Sequence, residues 1–246
     1  ISSVVAFSEF GEPIAQKKNI FVEDETAKLI LETVIQASEN LTREAFNILY
    51  TPGGANDLIV STLPNIMYSP KNMFVIFDGD QNHRSDDLDY KKIPLDKSHN
   101  EDRFNTELKR IIWGLTRTKS ENIRFAKNSS QTTKEDNNIF LNFLKFFDSN
   151  VFFLPQMLPE DIIWNTNVDS PLFQVDKKML ASIDSDTTKN SKKKLYTYAA
   201  FLSNGNNNDA GQLYTVLRTQ LLKYFSDIKN NDFKAIETML ESIQNS

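Results

Sequence analysis

Met73-Phe74-Val75-Ile76-Phe77-Asp78-Gly79-Asp80 is the stretch that decides how this chain is read. Its first five residues are wholly apolar, as a strand buried on both faces requires. Two carboxylates then flank a glycine at the strand's carboxyl end. Side chains of an extended chain alternate with a period of two, so Asp78 and Asp80 project the same way. Gly79 lets the backbone turn sharply and approach a ligand closely. Paired hard oxygens so placed suit Mg²⁺ or Mn²⁺. Upstream, Asn19-Ile20-Phe21-Val22-Glu23 is a second strand with an acidic end. Together the two strands point to a metal-binding catalytic site.

The rest of the chain is read outward from that strand. Residues 1–18 are mixed in character. After the strand at 19–22, residues 24–38 place Ala27, Ile30, Leu31, Val34 and Ile35 on one helical face. Phe46–Tyr50 is a further strand, ended by Thr51-Pro52-Gly53-Gly54, and Asn56 or Asp57 is placed to cap a short helix through Leu63. Residues 81–100 are polar and suit a loop. A helix is expected over 101–115, with Phe104, Leu108, Ile111 and Ile112 on one face. Residues 117–138 have little to bury and are expected to be mobile. An apolar helix at 139–147 leads to a fourth strand at 151–154, ended by Pro155. Helices are expected at 159–165, 171–183, 193–203, 209–227 and 232–244. Strands alternating with helices predict an α/β fold, a mostly parallel sheet flanked by helices. Residues 98–148 are read as a helical insertion directed away from the sheet, and 167–246 as a helical C-terminal region.

Composition narrows the function classes. The chain has 246 residues, 39% hydrophobic and 25% charged, with a net charge of −5, so it does not as a whole attract polyanions. It has no cysteine, which excludes disulfides, thiolate zinc sites and cysteine nucleophiles and agrees with a reducing, cytoplasmic setting. Only His83 and His99 are available, too few for a histidine-rich metal site. No apolar run nears the roughly 18 residues of a membrane helix, and no signal peptide is visible, so no membrane is expected. The start at Ile1-Ser2-Ser3 is read as belonging to a piece of a longer polypeptide.

Each motif also has a plain structural reading. Glu23-Asp24-Glu25 sits where acids favour a helix N-terminus, with Asp24 as the cap. Asp-Gly is a common turn pair. Gly53-Gly54 is equally a tight turn, and it lacks the lysine and spacing of a P-loop. Glu160 follows Pro159 in a helix's first turn, where acids are commonplace. Lys192-Lys193-Lys194, with Lys189, is either a solvated face or a phosphate contact. Phe140, Phe143, Phe146 and Phe147 read as core.

A strand ending in Glu23, a Gly53-Gly54 loop after the next strand and Asp78-x-Asp80 after the third resemble the TOPRIM domain of topoisomerases, bacterial-type primases and OLD-family nucleases. The likeness is strongest to the OLD (overcoming lysogenization defect) nucleases, in which a helical insertion splits the core. Here it is carried by Phe21-Val22-Glu23-Asp24, the insertion and the returning strand with Glu160, over about residues 17–165. The resemblance implies a TOPRIM core in two parts, 1–97 and 149–166, around the insertion at 98–148. It implies a metal-dependent DNA endonuclease of antiviral defence. Glu23, Asp78 and Asp80 would be catalytic, and the same three with Glu160 would hold Mg²⁺, with Mn²⁺ or Ca²⁺ able to replace it in binding. It further implies DNA, an ABC-type ATPase domain in the same or a separate chain, and a homo-oligomer as partners. Many OLD nucleases have a second acid four residues after the first. Here that position is Ala27, so Asp24 or Glu25 would substitute, or the second metal site is altered. The family's late lysine has no assigned counterpart, and the chain has no Walker A motif. Two other readings stand beside this one. Ile20-Phe21-Val22-Glu23-Asp24-Glu25 followed by Phe77-Asp78 also resembles a phosphoacceptor receiver domain, though without a clear switch threonine and lysine. A non-catalytic α/β interaction module is the third.

Overall fold

The computed structural model describes residues 17–126, 131–167, 176–203 and 207–246. Four parallel strands form one sheet: β1 (Lys18–Val22), β2 (Phe46–Tyr50), β3 (Met73–Phe77) and β4 (Val151–Phe153), in the order β2-β1-β3-β4. All four expected strands are present, and the Leu154 N–H continues β4 by donating to the Phe77 carbonyl at 2.8 Å. Period-two alternation divides β3 between two cores. Phe74 and Ile76 enter one, and Val75 and Phe77 the other. A strand covered on both faces has no polar side, which is why β3 reads as an unbroken apolar run.

One face is covered by α1 (Glu25–Ala37) and the C-terminal helices: α5 (Pro159–Asn167), α6 (Lys177–Asp184), α7 (Ser191–Leu202), α8 (Asn207–Ile228) and α9 (Asn231–Gln244). The expected helix at 171–183 is therefore described only from its later part, because 171–175 lie outside the described residues. On the other face lie α2 (residues 54–66), α3 (Glu101–Thr116) and α4 (Thr133–Asn150). The crossover from β1 to β2 uses the first face. Those from β2 to β3 and β3 to β4, which run in the opposite direction across the sheet, use the second, as right-handed connections require.

Three sequence expectations need correction. Residues 98–148 do not stand away from the sheet. Phe140, Phe143, Phe146 and Phe147 of α4 and Leu108, Ile111 and Ile112 of α3 are buried in one cluster with Val75, Phe77 and Val151. The insertion is a covering layer, because a sheet face this apolar must be buried. The stretch 117–138 is not wholly solvated. Ile123 and Phe125 are buried, Phe125 meets Phe140 and Phe143 edge-on at 5.5 and 5.4 Å, and α4 begins at Thr133 behind a capping box of Thr132 and Glu135. Residues 127–130 lie outside the described residues. Finally, Asn56 and Asp57 do not cap α2. That segment starts at Gly54 and runs through a π-helical stretch, Leu58–Thr62, to Ile66. Pro64 has no N–H for the Val60 carbonyl, and the Arg124 N–H takes it instead at 2.9 Å, tying the 117–126 stretch to α2.

Among the described residues no helix is long and apolar enough to cross a membrane.

Candidate active site

The sheet order fixes where a site forms. From β1 the chain moves outward to β2 and then returns to the other side of β1 as β3. The strand order therefore reverses between β1 and β3, and the crevice outside their carboxyl ends is where open α/β sheets bind ligands. Glu23 and Asp78 are the first residues beyond those two strands.

Backbone groups hold Glu23 in this crevice. Its Oε1 accepts the Asp78 N–H at 2.8 Å, and its carboxylate also accepts the Ala55 N–H. Gly53-Gly54 supplies the second of these bonds, since Gly54 takes φ +61 and turns the chain into α2 just before Ala55. Burial lifts the Glu23 carboxyl to about 7, against the two backbone bonds and with the charges of Asp80 and Asp24 adding to the rise. Asp78 is 7% exposed, and its Oδ1 is buried with no hydrogen-bond partner. Burial first, then the charges of Glu23, Asp24, Asp80 and Glu160, lift its carboxyl to about 9. Asp80 is exposed on the same loop.

Gly79 is required, but not for the expected reason. Its φ is not positive. Its N–H donates to the Gln156 carbonyl at 3.0 Å, and a Cβ there would lie 2.3 Å from the Gln156 oxygen and 2.9 Å from the Leu154 oxygen. The glycine lets the loop after β3 lie against the segment after β4, and the Asp80 N–H continues the pairing to the Met157 carbonyl at 3.3 Å.

Glu160 joins the cluster from α5. It is 2% exposed, unlike the usual solvated acid at a helix start. Its Oε1 accepts from the Thr26 and Tyr214 hydroxyls at 3.4 and 3.5 Å and faces Lys192 Nζ at 3.9 Å. Burial and the Asp24 charge raise its carboxyl.

The neighbouring acids have structural partners. Asp24 caps α1 by accepting the Ala27 N–H at 2.9 Å, and Glu25 pairs with Arg218 at 2.8 Å. Ala27 is fully buried in the core, so an acid there would meet an apolar environment. Among the described residues no three carboxylate or imidazole groups are gathered closely enough to enclose a metal ion. Glu23, Asp78, Asp80 and Glu160 share one electrostatic field without forming a closed shell. The feature that would suit a hard cation is the Asp78 Oδ1, buried without a partner among acids that repel one another.

The sequence left Lys192 in a basic run readable as a solvated face or as a phosphate contact. Of that basic run, Lys189 pairs with Asp186 at 3.1 Å and Lys194 with Asp184 at 3.2 Å, so these two serve local structure. Lys192 instead brings a largely exposed ammonium to Glu160. Thr26 and Tyr214 also escaped notice, because a contact between α1, α5 and α8 has no local sequence pattern. No protein-family model, curated protein or solved structure matches this chain.

Proposed function

We propose that this chain is a TOPRIM-like, metal-dependent DNA endonuclease, the nuclease part of an ATPase–nuclease defence protein of the OLD type. The observation that carries the reading is Asp78. A carboxylate with a buried, partnerless oxygen, crowded by four other acids at the sheet's switch point, is costly for the fold and is relieved by a cation.

Glu23, Asp78 and Asp80 would hold one or two Mg²⁺ ions, with Glu160 as the fourth ligand. Such ions polarise a phosphoryl oxygen, activate water and stabilise the leaving oxygen. The chain's own groups set the conditions for that chemistry. The Asp78 and Ala55 N–H groups orient Glu23. The backbone pairing of 79–80 with 156–157 fixes Asp80 relative to β4. Lys192 offers a cation at the rim, where a phosphate of the substrate meets an otherwise acidic surface.

Supercoiled plasmid incubated with the purified chain in Mg²⁺ or Mn²⁺ tests this reading. Cleavage is expected for the parent and loss to background for Asp78→Ala with Asp80→Ala, with melting curves confirming that the variant folds. Undiminished cutting by the folded variant refutes the assignment. Covalent labelling of Asp78 by a small phosphodonor, without DNA cleavage, would support the receiver reading instead.

A further inference from the structure

Trp113 on α3 is 48% exposed, whereas the chain's other tryptophan, Trp164, is 2% exposed. The Arg117 guanidinium lies 5.2 Å from the Trp113 ring centroid. Arg117 ends α3 in the left-handed region, φ 53, an uncommon backbone for a residue with a side chain, and its N–H donates to the Trp113 carbonyl at 2.8 Å. That turn sets the arginine back over the indole.

The charge here runs against that of the whole chain. Residues 109–124 hold Lys109, Arg110, Arg117, Lys119 and Arg124 against one acid, Glu121, in a protein of net charge −5. Lys109 faces Glu121 at 3.6 Å, and Arg110 is held by Glu107 at 3.0 Å. Among the described residues no carboxylate pairs with Arg117, Lys119 or Arg124, and all three are exposed. An open depression of about 320 Å³ adjoins the indole.

One loop joins this patch to the acidic strand ends. The loop that begins at Asp80 crosses α3. Arg110 donates to the Asp87 carbonyl at 3.0 Å, and a Cβ on Gly114 would lie 2.4 Å from a Leu88 methyl. His83, on that loop, feels the charges of both Arg117 and Asp80.

We propose that Trp113 and the cations around it form a docking platform for an unpaired DNA strand that leads to the carboxylates. The proposal rests on the nuclease reading and specifies its substrate. An exposed indole offers a face on which any base stacks, and neighbouring cations track the backbone, the combination that single-strand binding requires. A duplex keeps its bases stacked on each other and would use the cations alone.

Binding is measured with fluorescein-labelled oligothymidylate and with a duplex of the same length, in EDTA, on the full chain carrying Asp78→Ala. Oligothymidylate should quench tryptophan fluorescence, because the exposed indole is the one it reaches. Trp113→Ala should weaken binding about ten-fold, the scale of one stacked base, while Trp113→Phe keeps most of it. Arg117→Gln should lessen the salt slope by about 0.7, one phosphate's share on a single strand. Unchanged affinity in Trp113→Ala overturns the proposal, as does duplex binding as tight as that of the oligothymidylate. A parent that self-associates through Trp113 also overturns it, since a second copy then covers the indole. Trp113-dependent binding by a chain that never cuts DNA keeps the platform and removes the nuclease. Cutting with Trp113-independent binding does the reverse.

Discussion

Two acidic segments lie side by side at the carboxyl end of the sheet, and the fold treats them differently. After β1, Asp24 caps α1 and Glu25 pairs with Arg218, so the fold accounts for both. After β3, Asp78 is more deeply buried than either and has an oxygen with no partner, while Glu23 reaches across to its backbone. Acids that satisfy a helix end need no further explanation. Acids buried together, with their carboxyls raised by desolvation and mutual repulsion, do. The difference lies in partners, since the residue types are the same.

The largest expected effect on stability tests the scaffold under that difference. Gly79→Ala places a methyl against two carbonyl oxygens and should cost about 3 kcal/mol in urea unfolding, because backbone on both sides must shift. A neutral result would mean that the pairing of 79–80 with 156–157 does not hold Asp80.

The next effect is a difference in sign. In the folded chain Glu23 titrates near 7 and Asp78 near 9, above their ordinary values of 4.5 and 3.8. The folded state therefore keeps protons that the unfolded state releases. Stability from these groups is complete at low pH and is lost as pH rises through about 7 and then 9. Without a divalent cation, Tm should fall over that range, and Asp78→Asn should fall less and melt higher than the parent at pH 8. Saturation with Mg²⁺ at a hundred times its Kd should restore about 2.7 kcal/mol to the parent. Equal pH profiles for parent and variant would show that Asp78 is not held as described.

On the other side of the comparison, Asp24→Ala should cost about 1 kcal/mol through the lost cap. Glu25→Gln should cost about 1 kcal/mol, since the buried Arg218 loses its charged partner but keeps a hydrogen-bond acceptor. Chemical denaturation reads both. If either change stabilises the chain as Asp78→Asn does, the two segments are not distinct.

The sheet was legible because each buried parallel strand is a short apolar run, and the acids at 23, 78 and 80 stand directly after such runs. The first turn of α4 carried a readable signal in Thr132-x-x-Glu135, but its polar residues resembled a loop. Ile123 and Phe125 are isolated in a polar stretch, and their burial depends on a pocket made by α4. The role of Gly79, the burial of Glu160 and the approach of Lys192 all depend on contacts between segments far apart in sequence. Local patterns reveal which acids end strands. They do not reveal which ones the fold leaves unpaired.

The most direct test of the central claim is calorimetric titration of Mn²⁺ into the metal-free chain at pH 8, beside Asp78→Asn and Asp24→Asn. The parent should bind one or two ions with release of about one proton, chiefly from Asp78, Asp78→Asn should lose most of that affinity, and Asp24→Asn should keep it. No binding by the parent, or equal binding by all three proteins, would contradict a cation site at these strand ends.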